Sequence, residues 1–304
     1  MARVIEAAVV GRVGVDLYPN ELRTPLREVR TYTRYVGGFA GNVATGLARL
    51  GVRTAIVSRV GDDGHGEFVS DFLAGEGIDV RFLTVDPTYL TPPTFCEIWP
   101  PDRFPLTFYR TPTAPDWQLS LADVSHDEIA DAALLYATGT GLAQPPSREA
   151  TLEAVRAHRG TTIFDLDWRP SLWADAGEYP PLALEAASAA DVLVGNEEEI
   201  AAAGGLERLL DLRSGAALVV KRGGNGVTLH EEARVLDVPV VPVEVVNGLG
   251  AGDAFAAALG HALVRGLGLE EGVRLGNLAG SIVASQVPCS EAMPTLDELL
   301  GARV

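Results

Sequence analysis

Gly250, Ala251, Gly252 and Asp253 stand together ahead of an Ala- and Leu-rich run, in NGLGAGDAFAAALGHAL at 247–263. Small residues before a helical pattern form a tight turn at a helix N-terminus. The main-chain N–H groups there lack intrahelical partners, and the macrodipole adds partial positive charge. Such a turn attracts an anion, most often phosphate. Asp253 puts a carboxylate where that anion would lie, which is useful if it takes a proton from a hydroxyl attacking the phosphate. Taken alone, the four residues also describe an ordinary glycine-rich loop with an N-cap or first-turn Asp. Their meaning depends on partners elsewhere in the chain.

A second glycine stretch, GGFAGNVATGLARLG, occupies 37–51. Gly37 and Gly38 allow a close backbone approach, and Asn42 can both donate and accept hydrogen bonds. Ala44, Leu47, Ala48 and Leu50 form the apolar side of the helix that follows. In VLVGNEEEI at 192–200, Asn196 and Glu199 offer the oxygen donors that a water-rich Mg²⁺ prefers, although an acidic first helical turn reads alike.

These residues need a scaffold, and the chain supplies an alternating one. Val4–Gly11, Thr54–Val60, Ala133–Thr138, Thr162–Asp167, Asp191–Val194 and Ala217–Lys221 are apolar or β-branched runs closed by Gly, Asp or Asn. Helical patterns lie between them, among them Ala40–Leu50, Gly66–Glu76, Ser147–His158 and Glu197–Ala203. That order predicts an α/β sandwich whose central, mostly parallel sheet collects ligands at the carboxyl ends of its strands. A meander of short strands over 225–246 and two long helices, 251–266 and 269–286, complete the expectation. Residues 12–36 and 91–117 break the alternation, the latter with prolines and the aromatic runs Phe95–Trp99 and Phe104–Tyr109. We expect the two to pair as a small β-sheet lid on a single domain spanning 1–304. A lid suits phosphoryl transfer because closure excludes competing water.

Composition narrows the function classes. The 304 residues, 47% hydrophobic and 21% charged, are ordinary for one large globular domain. A net charge of −17 argues against nucleic acid or an anionic membrane as partner, so an anionic substrate needs locally placed cations or amides. Cys96 and Cys289 make neither a disulfide framework nor a metal site and read as reduced, packed thiols. His65 and His261 lack partners at metal spacing, Trp168 and Trp173 read as packing, and GRVG at 11–14 is no dinucleotide fingerprint. With no charged leader and no apolar run of spanning length, the expected location is the cytoplasm.

The two glycine stretches, in this order and about two hundred residues apart, resemble the signatures of the ribokinase-like (PfkB) carbohydrate kinases. The resemblance covers essentially the whole chain, including VGDDGHGEFV at 60–69. It implies a ribokinase-like three-layer sandwich with a β-sheet lid, ATP as phosphoryl donor, and Asp253 as base beside the anion turn of Gly250, Ala251 and Gly252. Asp16, Gly37, Gly38 and Asn42 would hold the sugar. Asn196 and Glu199 match an NxxE motif that orders Mg²⁺ and its waters. ALVVKRGGNGVTLH at 217–230 resembles the strand and turn of the ATP site, with Lys221, Gly223 and Gly226 near the phosphates and Asn277 beside the adenine.

FDLDWRPSLW at 164–173, FPLTFYR at 104–110 and AMP at 292–294 resemble one branch of the family, the kinases of a deoxy-keto sugar acid in inositol catabolism. A carboxylate substrate needs a cation, and Arg110 and Arg169 are the candidates. Arg169 could instead reach the γ-phosphate. The runner-up substrates are 2-keto-3-deoxygluconate and fructose, and a non-catalytic sugar or nucleotide binder is the further alternative. Ribokinase relatives bind a monovalent cation through an Asp and a Thr where Asn247 and Gly248 stand, which leaves a potassium requirement open. Family lids often pair into homodimers, which the aromatic content of 95–109 would suit.

Overall fold

The computed structural model describes residues 4–212 and 216–302. The first four strands are β1 (Ala7–Val10), β2 (Gly14–Pro19), β3 (Tyr32–Gly37) and β4 (Thr54–Gly61). There follow β5 (Leu83–Asp86), β6 (Pro93–Cys96), β7 (Leu106–Phe108), β8 (Leu134–Thr138) and β9 (Thr161–Asp165). The last four are β10 (Val192–Asn196), β11 (Ala217–Lys221), β12 (Val227–Glu231) and β13 (Arg234–Val238). Nine of them form one sheet in the order β13-β12-β11-β10-β9-β8-β1-β4-β5, parallel from β11 to β5. β12 and β13 add an antiparallel edge.

The parallel strands are apolar on both faces because both faces are covered. In β1, Ala7 and Val9 join a core beneath helices α1 (Phe39–Arg49), α2 (Gly64–Gly75), α6 (Ala251–Val264) and α7 (Leu269–Ala284). Ala8 and Val10 point the other way, toward Leu119, Ile129 and Ala150. Farther along that second face, α3 (Ser147–Ala157), α4 (Tyr179–Ala187) and α5 (Glu197–Ala202) cover β9–β11. Small residues let the helices approach closely. A β-carbon at Gly46 of α1 would lie 2.5 Å from that of Ala257 on α6. This approach brings the two glycine signatures together.

Both irregular segments do form a lid. β2, β3, β6 and β7 make a second sheet in the order β3-β2-β6-β7, with the parallel β2–β6 pair joining residues 12–36 to 91–117. Strand alternation sorts their side chains. Asp16, Thr94 and Phe108 are in register on the inner face, and Leu17, Phe95 and Thr107 on the outer. Tyr32, Phe95 and Tyr109 touch edge to face in a row along that outer side, with centroids 5.3 Å apart.

Three expectations change. The first strand begins at Ala7 rather than Val4, and β9 stops at Asp165 because Asp167 adopts a left-handed φ of 32°. The meander expected over 225–246 is a single hairpin that ends at Val238. Pro239 and Pro242 cannot donate to a sheet, so the following segment is a loop instead. Asn277 and Ser281 of α7 hold that loop through the carbonyls of Val238, Pro239 and Val241.

Candidate active site

The carboxyl ends of β9 and β11, the N-terminus of α6 and the inner face of the lid enclose a cavity of ≈ 250 Å³. Strand ends in a parallel sheet are where such a site is expected. Asp253 lies in the first turn of α6 and accepts a 2.6 Å hydrogen bond from Asn42 Nδ2 of α1. The close packing of α1 on α6 makes that bond possible. Burial, reinforced by Asp167 and Asp165, raises the Asp253 pKa from 3.8 to about 6 against the Asn42 bond. A helix N-terminus alone would hold this carboxyl low, but desolvation and the neighbouring carboxylates win. Asp253 is therefore a better proton acceptor than its place on the helix suggests.

Gly250 caps α6 in a left-handed conformation, φ 80°, and a β-carbon there would sit 2.6 Å from Cys289 Cβ. The first-turn amides of Ala251, Gly252 and Asp253 make no hydrogen bond among the described residues. They are free to receive an anion, as the sequence reading expects. Lys221, at the end of β11, comes within 3.7 Å of where a β-carbon on Gly252 would be. Its ammonium also lies 3.1 Å from Asp165 Oδ2. Burial works against that charge, but Asp165 and Glu199 outweigh it and hold the Lys221 pKa above its usual value.

Carboxylates gather at this end of the cavity. Asp167 donates its N–H to Asp165 Oδ1 at 3.0 Å, accepts from Thr140 Oγ1 at 2.8 Å, and pairs with Arg169 Nε at 3.1 Å. Those contacts stabilise its unfavourable backbone angle. Glu199 also lines the cavity, and burial, reinforced by Asp165 and Asp167, raises its pKa to about 7 in spite of Lys221. Asn196 caps α5: its Oδ1 accepts from Glu199 N–H at 2.9 Å, while Glu199 Oε2 accepts from Asn196 N–H at 2.8 Å. Asn196 thus sets the position of Glu199 but does not itself line the cavity.

The opposite end lies under the lid. Asp16 points inward from β2, close beside Gly37, where a β-carbon would fall 2.1 Å from the Asp16 carboxyl carbon. Burial raises the Asp16 pKa to about 6, opposed by Arg12 and by hydrogen bonds from Thr94 and Tyr18. Gly38 has φ 88° and passes so near Arg12 that any side chain would meet the Arg12 carbonyl. The Cys289 thiol contacts the Tyr18 hydroxyl and lies 4.0 Å from Asp16 Oδ2.

Of the expected residues, Asp253, Gly250, Gly252, Asp16, Gly38, Asn42, Arg169, Lys221 and Glu199 line one cavity. Arg110 does not join them. It is 5% exposed, ion-paired with Asp116 and stacked 4.2 Å over Trp117, so its expected contact with substrate is corrected to a structural role. Gly223 and Gly226 shape the turn between β11 and β12 outside this cavity, and the Asn277 amide is engaged with the 239–246 loop. Asn247 spends its side chain on Val287 O and Leu249 N–H, and Gly248 backs onto Phe104. Gly248 has no side-chain oxygen, and the Asn247 side chain is already engaged, so this turn lacks the Asp and Thr oxygens expected for a monovalent cation.

Sequence reasoning missed Arg12, Asp165, Asp167 and Cys289 as cavity residues. Their places at or just beyond the ends of β1 and β9 were the available signal for the first three. Cys289 had none, since its contact with the turn at Gly250 is purely tertiary.

Residues 4–296 match the family described as "pfkB family carbohydrate kinase". A 5-dehydro-2-deoxygluconokinase 1 of Bacillus cereus is 34% identical over 98% of this chain and 94% of its own length. 5-Dehydro-2-deoxygluconokinase of Bacillus anthracis matches to the same extent. Among solved structures, an uncharacterized sugar kinase from Pyrococcus horikoshii in complex with ATP superposes with a TM-score of 0.87 at 27% identity, covering 98% of this chain and 99% of that one. Fructokinase from Vibrio cholerae O395, with fructose, ADP and calcium ion bound, gives a TM-score of 0.87 at 26% identity with the same coverage. The fold is thus ribokinase-like, and the acid, cradle and cations share one cavity within it. The chain belongs to the pfkB family and is a carbohydrate kinase.

Proposed function

We propose that this kinase transfers the γ-phosphoryl group of ATP to the primary hydroxyl of a deoxy-keto sugar acid, 5-dehydro-2-deoxy-D-gluconate. One observation carries the chemistry: Asp253, with its pKa raised to about 6, sits between unpaired helix-start amides and a sugar-side group of Asp16, Gly38 and Asn42. The substrate is supported by relatives of that name matching nearly the whole chain, and by cations converging on the cavity of an otherwise acidic protein.

In this reading Asp16, Gly38 and Asn42 hold the sugar, with Gly37 leaving room for the Asp16 carboxylate. Asp253 accepts the proton of the primary hydroxyl. In a loose transition state that proton leaves late, so alignment by Asn42 counts as much as basicity. The amides of Ala251 and Gly252, released by the turn at Gly250, face the charge on the transferring group together with Lys221. Gly223 and Gly226 would flank the nucleotide, and Asn277 would shape its base pocket by holding the 239–246 loop. Mg²⁺ would find a hard oxygen in Glu199, held in place by Asn196, with its remaining ligands left to water and phosphate, since no cluster of three acidic or His/Cys side chains among the described residues could hold it alone. When bound, it would neutralise phosphate charge.

A coupled ATPase assay over 5-dehydro-2-deoxygluconate, 2-keto-3-deoxygluconate and fructose tests the assignment. We expect the first to give the highest kcat/KM. Fastest turnover of fructose would make the chain a fructokinase, and turnover of none would make it a binding protein. We also propose a cytoplasmic protein that pairs through the outer face of the lid. No described helix is long and apolar enough to cross a membrane. The row of Tyr32, Phe95 and Tyr109 supports the pairing, and sedimentation of Tyr109→Glu against the parent tests it.

A further inference from the structure

Arg12 and Arg169 are the two arginines lining the cavity among the described residues, and they differ in what they already hold. Arg169 is paired with Asp167, and its other charged neighbours are Glu199, Asp253 and Asp165. A carboxylate brought to Arg169 would meet that whole acidic group. The Arg12 side chain makes no hydrogen bond and no ion pair among the described residues, and its buried Nε lacks a partner. It rests over the Phe108 ring of the lid, 5.3 Å from the centroid. Asp16 faces Arg12, a lighter acidic surrounding than the four carboxylates around Arg169. A half-buried guanidinium whose Nε has no acceptor suits an anion in a ligand cavity.

The backbone beneath Arg12 is firmly held. Its carbonyl accepts from Ala40 N–H at 3.0 Å, and the next residue, Val13, donates its N–H to Asp116 Oδ2 at 3.0 Å. Asp116 is the partner of Arg110. The expected lid arginine is therefore already neutralised, and its pair supports the arginine that is not.

We infer that Arg12 is the specificity-determining cation of this kinase: it binds the substrate carboxylate at the lid end while the primary hydroxyl at the other end of the sugar acid faces Asp253. The inference rests on the sugar-acid reading above. A planar guanidinium steadied on an aromatic face can meet both carboxylate oxygens, which an ammonium cannot do. Arg169 is then left to the phosphate end.

The test uses the full-length enzyme with Arg12→Gln and Arg12→Lys, measuring kcat and KM for 5-dehydro-2-deoxygluconate and fructose and KM for ATP. Removing a charge-assisted pair should raise the KM for the acid about 10- to 100-fold, leaving ATP KM within about threefold and the acid kcat far less changed. The preference for acid over fructose should drop by a similar factor, and lysine should restore only part of it. An unchanged KM for the acid, or equal losses on acid and fructose, would overturn the assignment. Thermal midpoints report folding, and if the glutamine variant is unstable the lysine variant alone decides through its acid KM. Should the parent enzyme turn over fructose but not the acid, the sugar-acid reading itself fails. Acid turnover that survives Arg12→Gln sinks only the role of Arg12.

Discussion

Replacing Asp253 by asparagine should make the protein inactive and more stable at once. The carboxyl rises from 3.8 to about 6 on folding. A tenfold change in proton affinity is worth ~1.4 kcal/mol, so the ionised group costs the fold at most about 3 kcal/mol above pH 6. The side chain is partly open to the cavity, and screening leaves about 1–2 kcal/mol of that. Asparagine keeps an oxygen to accept from Asn42 Nδ2 and removes repulsion from Asp165 and Asp167, at the loss of attraction to Lys221. In a chain of this size the gain is a rise of about 2–4 °C in thermal midpoint. Because the folded pKa is raised, folding binds this proton more tightly than the unfolded chain does. The site's contribution is thus fully favourable below 3.8 and lost as pH rises through about 6. The difference between variant and parent should accordingly be largest at pH 8 and shrink as pH falls from 6 toward 4. Turnover should fall about 10²–10⁴-fold with ATP binding retained, as expected for loss of a general base. Calorimetry at pH 8 and pH 5, alongside the coupled assay, measures both effects. A lower midpoint at pH 8 with activity within tenfold of the parent would refute the reasoning.

Three other changes are expected. In the parent enzyme, kcat/KM should decline below about pH 6 as Asp253 takes up its proton, approaching tenfold per pH unit, and up to a hundredfold where Asp16 must be ionised as well; a profile flat to pH 5 would place the base elsewhere. Gly250→Ala should abolish turnover, since its φ of 80° and the 2.6 Å approach to Cys289 both exclude a side chain. Cys289→Ala should not rescue it, because the β-carbon stays; kinetics of the single and double variants check this. Arg110→Met should leave Asp116 buried without its counter-ion and cost about 3–5 kcal/mol, read as a fall in thermal midpoint. Its acid-to-fructose preference should stay within about threefold of the parent.

Much of the site was legible because its parts are local. The turn at Gly250–Gly252, the start of α1 at Gly38 and the capped start of α5 are each written in a few consecutive residues. The apolar runs of β1, β8 and β10 declared a sheet covered on both sides, and the prolines and aromatics of 91–117 marked the lid. What failed to show was pairing between distant residues. Arg110 looked like a free lid cation because nothing in FPLTFYR announces that Asp116 will bury it. Arg12 belongs to no periodic pattern, and only the cavity shows it unpaired. The basicity of Asp253 is hidden for the same reason: its burial, and Asp165 at the end of β9 with Asp167 just beyond it, raise its pKa from nearly ninety residues away.

The amide of Asn42 spans two tasks that are usually discussed apart. Its nitrogen is committed to Asp253, while its buried oxygen has no partner among the described residues. A sugar hydroxyl donating to that oxygen would fix the amide's rotation and, through it, the direction in which Asp253 presents its lone pairs. Recognition and reactivity are then not separable traits. Attempts to retune this enzyme for another sugar by changing position 42 would disturb its turnover as well, and paired substitutions at 42 and 253 should combine non-additively.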